Sequence, residues 1–310
     1  MTFDQLRYIV ALDSERNFVR AAEKCFITQP ALTIQIQKLE EELGVIIFDR
    51  SKKPLIPTDI GRLIIEQAKF ILQEVDKIRE SVKEYRQDLS GELKLGIIPT
   101  LAPYLVPLFI NDFLARYPRL EITIIEKQTE AIIAQLKNGD LDAGIFVTPW
   151  NDPQIRVAPI FYEMFYVYVS PQHPLFKKKR ITYADLTPDD IWLLEEGNCF
   201  RNQVINICQV KPEKEKPFFR YESASIEALK KIVETRAGVT LIPELALSSI
   251  ADDNRFMLRS FKKPVPVREV SLVTSRSYVK KRVLEKLKET ITKHIPETMH
   301  SINGRELVHV

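Results

Sequence analysis

Two cysteines stand near each other in the second half of the chain, within Glu196-Gly197-Asn198-Cys199-Phe200-Arg201-Asn202-Gln203 and then Cys208, with eight residues between the thiols. A thiolate is a nucleophile, a metal ligand and a redox centre. This spacing fits neither a zinc pattern nor a C-x-x-C redox motif, so on residue chemistry alone two unremarkable cysteines are the simpler reading. Cys25, the third, reads as a small core residue. The four histidines, His173, His294, His300 and His309, are scattered, and none pairs with a cysteine at ligand spacing. No structural metal and no cofactor is expected.

A second group of residues suits a different chemistry. Thr28, Gln29, Pro30, Thr33, Gln35, Gln37 and Lys38 lie together. Amides and hydroxyls of this kind read base edges in a major groove, and an apolar ring such as Pro30 can touch a thymine methyl. Behind them, Leu32, Ile36, Leu39 and Leu43 recur every three or four residues, which predicts one buried helix face. Thr28 caps that helix, Pro30 is tolerated in its first turn and Gly44 ends it. A preceding short helix, capped by Asn17 and running through Cys25, carries Ala21 and Ala22, small enough for a close crossing. Ile46 to Ile56, with Arg50, Lys52, Lys53 and Pro54, reads as a two-stranded wing that carries cations to phosphates. Residues 1–60 hold eight Lys/Arg against nine Asp/Glu, so DNA binding requires the cations to be segregated on one surface.

The elements that position these residues follow from periodicity. Thr58 caps a helix predicted to reach Leu89, in which Ile64, Ala68, Ile71, Val75, Ile78, Val82, Tyr85 and Leu89 advance by alternating steps of four and three. That is a coiled-coil period, and it points to a dimer and a roughly palindromic operator. Ser90-Gly91 breaks the helix. Strands are then expected at 93–98, 120–126, 143–148, 165–170, 191–194, 239–242 and 270–274, and helices at 103–116, 129–138, 223–236 and 278–294, an α/β pattern. The last dozen residues show little periodicity and are expected to fray. At 310 residues the chain suits two or three domains. Its net charge of +3 permits nucleic acid without arguing for it. Asp4, Asp13 and Glu15 are unlike a signal peptide, and no run approaches the roughly 18 apolar residues of a membrane span. A cytoplasmic protein without a membrane partner is expected.

Phe18, Ala21, Ala22, Thr28-Gln29-Pro30-Ala31-Leu32-Thr33, Ile36, Lys38-Leu39-Glu40 and Glu42-Leu43-Gly44-Val45, leading into Phe48-Asp49-Arg50, closely resemble the LysR-type transcriptional regulators. The resemblance covers essentially the whole chain. It implies an N-terminal winged helix-turn-helix (1–57), a linker and dimerisation helix (58–89), and a two-subdomain α/β regulatory domain of periplasmic-binding-protein type (90–310). Its subdomains would be about 91–161 plus 268–300, and 162–267. It implies double-stranded DNA as partner, a homodimer and usually a homotetramer, and possible contact with RNA polymerase. Thr28, Gln29, Pro30, Thr33, Gln35 and Lys38 are its implied groove contacts, with Arg50 and Lys53 on the backbone.

Within that family the segment around Cys199, together with Ile98-Pro99-Thr100, Pro103-Tyr104-Leu105, Gln128-Thr129 and Lys263-Pro264 with Arg268, is similar to the hydrogen-peroxide-sensing members. The resemblance implies Cys199 as the peroxidatic and Cys208 as the resolving thiol, joined on oxidation. Arg201 or Arg268 would lower the pKa of the thiol, and Thr100, Thr129 and Gln203 would hydrogen-bond the peroxide. Asn198 and Asn202 depart from the His and Asp often found there, which leaves sensitivity open. A regulator gated by a small effector in the cleft, with incidental cysteines, is the alternative. An enzyme such as a thiol peroxidase is disfavoured, because the thiols follow a complete DNA-binding domain.

Overall fold

The computed structural model describes residues 1–85, 89–186, 191–208, 223, 225–276, 278, 280–302 and 304–309. The chain divides into two units, Met1–Arg86 and Gln87–Val310.

In the first unit, α1 (Phe3–Glu15) begins with a reciprocal cap between Thr2 and Gln5, and α2 (Phe18–Lys24) is capped by Asn17. The Thr28 hydroxyl accepts the Ala31 amide at 3.4 Å to start α3 (Gln29–Leu43), and Gly44 at φ 67° ends it. Leu32, Ile36 and Leu39 are buried with Leu6, Ile9, Leu12, Ala21 and Ala22 in one core. Leu43, expected on that face, is exposed instead, because the helix ends there and the chain turns away. A two-stranded antiparallel wing follows, β1 (Phe48–Asp49) against β2 (Ile56–Pro57). The Thr58 hydroxyl accepts the Gly61 amide at 3.0 Å at the start of α4 (Asp59–Tyr85).

The predicted seam of α4 is split. Ala68 is buried in the core of this unit, with Ile64 and Ile71 packed against it, whereas Ile78, Val82 and Tyr85 are exposed. A second exposed stripe, Ile60, Leu63 and Phe70, was hidden behind the first in the sequence. The expected continuation toward Leu89 crosses residues 86–88, which lie outside the described residues.

The second unit is built on β3 (Gly91–Ile97), β4 (Leu120–Glu126) and β5 (Ala143–Thr148), parallel and packed by α5 (Ala102–Arg116) and α6 (Thr129–Asn138). Every residue of β5 is buried, as a parallel strand covered on both faces requires. The long strand β6 (Ile155–Val169) runs antiparallel to β10 (Pro266–Ser275), which also pairs with β5. The far end of β6 pairs with β8 (Val239–Pro243) and β9 (Leu258–Phe261), and β9 pairs with the short β7 (Arg180–Ile181). The strand β6 thus runs through both parts of the sheet. Only the second half of β6 was legible, because Pro159 sits beside a bulge that breaks the alternation. The expected strand 191–194 makes a single bridge, Ile191 to Val239. Helices α7 (Cys199–Cys208), α8 (Ile226–Thr235) and α9 (Lys281–His294) complete the unit. The last dozen residues, expected to show little order, hold one more strand. Residues Glu306–Leu307 form β11, parallel to β10, and Val308 is buried.

Gly61 is where α4 crosses the wing: a Cβ there would lie 2.0 Å from the Ile47 carbonyl oxygen. Gly61→Ala is therefore expected to destabilise the first unit by about 1–3 kcal/mol through backbone displacement. Chemical denaturation followed on that unit measures it, and an unchanged midpoint would contradict the close crossing.

Candidate functional site: a buried thiol and an exposed helix face

Helix α7 carries the two cysteines at its ends. Both thiols are free and buried. Nine helical steps separate their Cα atoms by about 13 Å at about 1.5 Å each. Gly197, at φ 81°, turns the chain into the helix. The buried Asn198 then accepts the Phe200 amide at 3.0 Å through Oδ1, so this departure from the family pattern serves as a local cap.

Beside Cys199 the structure places Arg268 and Thr129, and Arg268 in turn engages Thr100. Arg268 has no solvent exposure. Its neighbour across the β6–β10 pairing is Glu163, equally buried, and the two meet at 2.7 and 2.8 Å. Arg268 Nη1 donates to Thr100 Oγ1 at 3.2 Å and Nη2 to the Thr100 carbonyl at 3.3 Å. The guanidinium lies 5.2 Å from the centroid of the Phe200 ring, which stacks on Phe165. Thr129 is the first residue of α6, capped not by its own side chain but preceded by Gln128. Its buried hydroxyl is oriented to favour the Cys199 thiolate and has no other partner among the described residues.

The electrostatics of the thiol reverse one expectation. Burial raises the Cys199 pKa and outweighs the opposing pull of the Arg268 charge, the Thr129 hydroxyl and the Phe200 amide. Cys208 has no such relief, and burial pushes it up to about 12. The resting form of both groups is the neutral thiol. Cys25 is also raised by burial, with Lys24 opposing, which suits a packed side chain.

Arg201 is engaged away from Cys199. It donates to the Leu194 carbonyl at 2.9 Å and faces Glu196 at 4.0 Å, holding the entry to α7. Gln203, one turn along from Cys199, is fully buried. Its Nε2 is committed to the Val308 carbonyl at 3.1 Å, and Oε1 alone lacks a partner among the described residues. Glu163 was missed in the sequence. Its signal was a lone carboxylate in the apolar run Tyr162–Phe165, matched by a lone guanidinium in the other long strand.

In the first unit, Thr28, Gln29, Pro30 and Lys38 are exposed along α3, and Lys53 is exposed in the wing. Thr33 is half-buried, donates to the Gln29 carbonyl at 3.0 Å and lies 3.5 Å from Gln29 Nε2. Gln35 is not on the outer face: it leans toward α1 and accepts from Gln5 Nε2 at 3.4 Å. At about 100° per residue it lies only some 60° from the buried stripe. Ile34 and Gln37 occupy the outer face instead. Arg50 is engaged by Glu40 at 2.8 Å and lies over the Phe18 ring, so its charge is offset within the domain. That weakens the expectation of a phosphate contact from Arg50.

Two family profiles match the chain. The profile described as "Bacterial regulatory helix-turn-helix protein, lysR family" covers residues 3–62, and "LysR substrate binding domain" covers 86–296. The chain belongs to the LysR family. The hydrogen peroxide-inducible genes activator of Pectobacterium carotovorum is 33% identical over 98% of this chain and all of that protein. A full-length OxyR cysteine variant from Pseudomonas aeruginosa is 35% identical with a TM-score of 0.77, covering 94% of this chain and 98% of that one. A peroxide-bound OxyR cysteine mutant from Corynebacterium glutamicum is 28% identical with a TM-score of 0.63, covering 94% and 92%. As in any LysR-family regulator, the helix-turn-helix is a DNA-binding element. Among the described residues, no helix of this family member is long and apolar enough to cross a membrane, and no cluster of three or more side chains is arranged to hold a metal.

A raised thiol pKa means the native state prefers the protonated form. The stabilisation is complete below the unfolded value of about 8.5 and is lost as pH rises through the higher folded values. Iodoacetamide labelling of the reduced native protein should show Cys208 titrating near pH 12 and Cys199 above the ordinary thiol range. Labelling at the rate of an unfolded thiol at pH 7 would refute the buried resting state.

Proposed function

We propose that this LysR-family protein is a transcription regulator that senses hydrogen peroxide through a reversible Cys199–Cys208 disulfide and alters its grip on DNA. The observation that carries this reading is the placement of two thiols at opposite ends of one helix, the first beside the Thr129 hydroxyl and a buried cation that also holds Thr100. Its similarity to relatives named as peroxide-inducible activators and OxyR proteins supports it.

The chemistry balances with peroxide as the only oxidant. The Cys199 sulfur attacks one peroxide oxygen and the O–O bond breaks. The thiol proton goes with the leaving oxygen, which departs as water, and the sulfur becomes a sulfenic acid. The Cys208 sulfur then attacks the Cys199 sulfur, the S–O bond breaks, and its proton leaves with the hydroxyl as a second water. Arg268 stabilises negative charge on the sulfur and the leaving oxygen. The Thr100 and Thr129 hydroxyls and Gln203 Oε1 supply hydrogen-bonding groups for the peroxide. Arg201 has no part in this chemistry.

A disulfide requires the Cα atoms within about 7 Å, whereas the helix holds them about 13 Å apart. Oxidation therefore cannot leave α7 intact, and that mismatch turns a bond into a conformational change. The reading assigns 1–57 to DNA binding, 58–89 to the linker helix and 90–310 to the sensor, in a cytoplasmic protein. Thr28, Gln29, Pro30, Thr33 and Lys38 face the operator and Lys53 a phosphate. The exposed stripes of α4 join a second copy, dimers pair into tetramers, and RNA polymerase is the downstream partner.

Dilute peroxide should convert both thiols to an intramolecular disulfide, seen as a linked peptide by mass spectrometry, and change the footprint on operator DNA. Cys199→Ser should stay in the reduced footprint at all peroxide concentrations. Absence of the linkage at micromolar peroxide would instead favour an effector-gated regulator. Ile78→Asp places a charge on the exposed stripe of α4 and should abolish dimers and DNA binding together. Unchanged mass by analytical ultracentrifugation would remove α4 as the dimer element.

A further inference from the structure

The chain's last residues are tied to the sensor helix. Strand β11 lies along β10 with Pro266 opposite Glu306 and Val267 opposite Leu307. The Glu306 amide donates to the Val265 carbonyl at 2.9 Å and the Val308 amide to Val267 at 2.8 Å. From the other side, α7 reaches the same segment. Gln203 Nε2 donates to the Val308 carbonyl and Asn206 Nδ2 to the His309 carbonyl, both at 3.1 Å. Gln203 and Asn206 are three residues apart, so they project from one face of the helix. Both lie between the two cysteines.

We propose that the tail 306–309 is a clasp on the helical, reduced form of α7, held there by Gln203 and Asn206 as positioning residues, and that closing the Cys199–Cys208 bond releases it. The proposal rests on the disulfide reading above. The argument is geometric. The tail makes only a two-residue pairing with β10, a strand in the middle of the sheet, next to Arg268. Shortening the Cys199–Cys208 separation from about 13 Å to under about 7 Å must undo helical turns within the segment that carries both amides. The two side chains cannot keep their spacing of one helical turn through that change, so their bonds to the tail are broken and the tail is left held only by its main-chain pairing with β10, from which it then opens more readily. Interactions present only in the dithiol form stabilise that form and make the disulfide easier to reduce. The tail therefore sets the equilibrium of the switch without touching either sulfur.

Two measurements test this on the full chain. First, a variant lacking Val308–Val310 leaves α7 unaltered and removes both carbonyl acceptors. Equilibrated against glutathione, it should hold the disulfide about tenfold more tightly than the intact protein, which is about 30 mV lower for a two-electron couple. A constant within twofold of the intact protein, or a shift toward the dithiol, would overturn the clasp. Second, should that variant fail to fold, amide hydrogen exchange on the unmodified protein reads the same event. The Glu306 and Val308 amides should exchange slowly when reduced and at least tenfold faster once oxidised. The oxidised sample is certified by its linked Cys199–Cys208 peptide. If the linkage is present and the tail stays protected, the clasp is wrong and the sensor reading stands. If no linkage forms, both fall.

Discussion

A guanidinium with no exposure to water has to be compensated where it lies, and Glu163 does this for Arg268. The pair joins β10 to β6, the strand that runs through both parts of the sheet. A buried ion pair adds little net stability over an apolar pair, but losing one partner strands a charge at a cost of about 3–5 kcal/mol. The pair therefore acts less as a staple than as a fixed reference. Glu163 also accepts the Leu245 amide at 2.7 Å through its second oxygen, so the carboxylate cannot rotate away. With Nε and Nη2 taken up by the carboxylate, Nη1 and the remaining reach of Nη2 are aimed at Thr100. The loop after β3, the start of α7 and the junction of the sheet are located by one side chain.

That arrangement explains why a cation can sit beside Cys199 without making it an exposed, standing thiolate. The charge of Arg268 is offset by Glu163 in the same buried space, while the desolvation of the thiol is not offset. Burial wins, and the sulfur rests protonated. The cation still matters once charge develops in a reaction, because a pre-placed guanidinium in a poorly solvated site needs no reorganisation to respond.

The legible parts of the chain were those decided by local rules. α3 declared itself through Thr28, Pro30, Gly44 and the Leu32–Ile36–Leu39 spacing, and β5 through an unbroken apolar run. What escaped was decided by partners distant in sequence. The tail has no periodicity because two residues complete a strand only when β10 is beside them. The Glu163–Arg268 pair depends on a register between segments over a hundred residues apart. The seam of α4 was visible, but a hydrophobic period does not say which neighbour covers it, and α1 had already covered its first half. The position of Gln35 escaped for a related reason: a polar side chain on an outer helix can lean on the helix behind it.

Cys199 is buried, with Thr129, Phe200 and Arg268 beside it. Such a site selects by size and charge before it selects by reactivity. A bulky disulfide or a charged oxidant would have to displace packed side chains and shed its hydration, each step costing free energy that its reaction with a neutral thiol does not return. A small uncharged oxidant avoids both costs. On this view the raised thiol pKa is not a defect of the site. It follows from the same burial that decides which molecules can reach the sulfur.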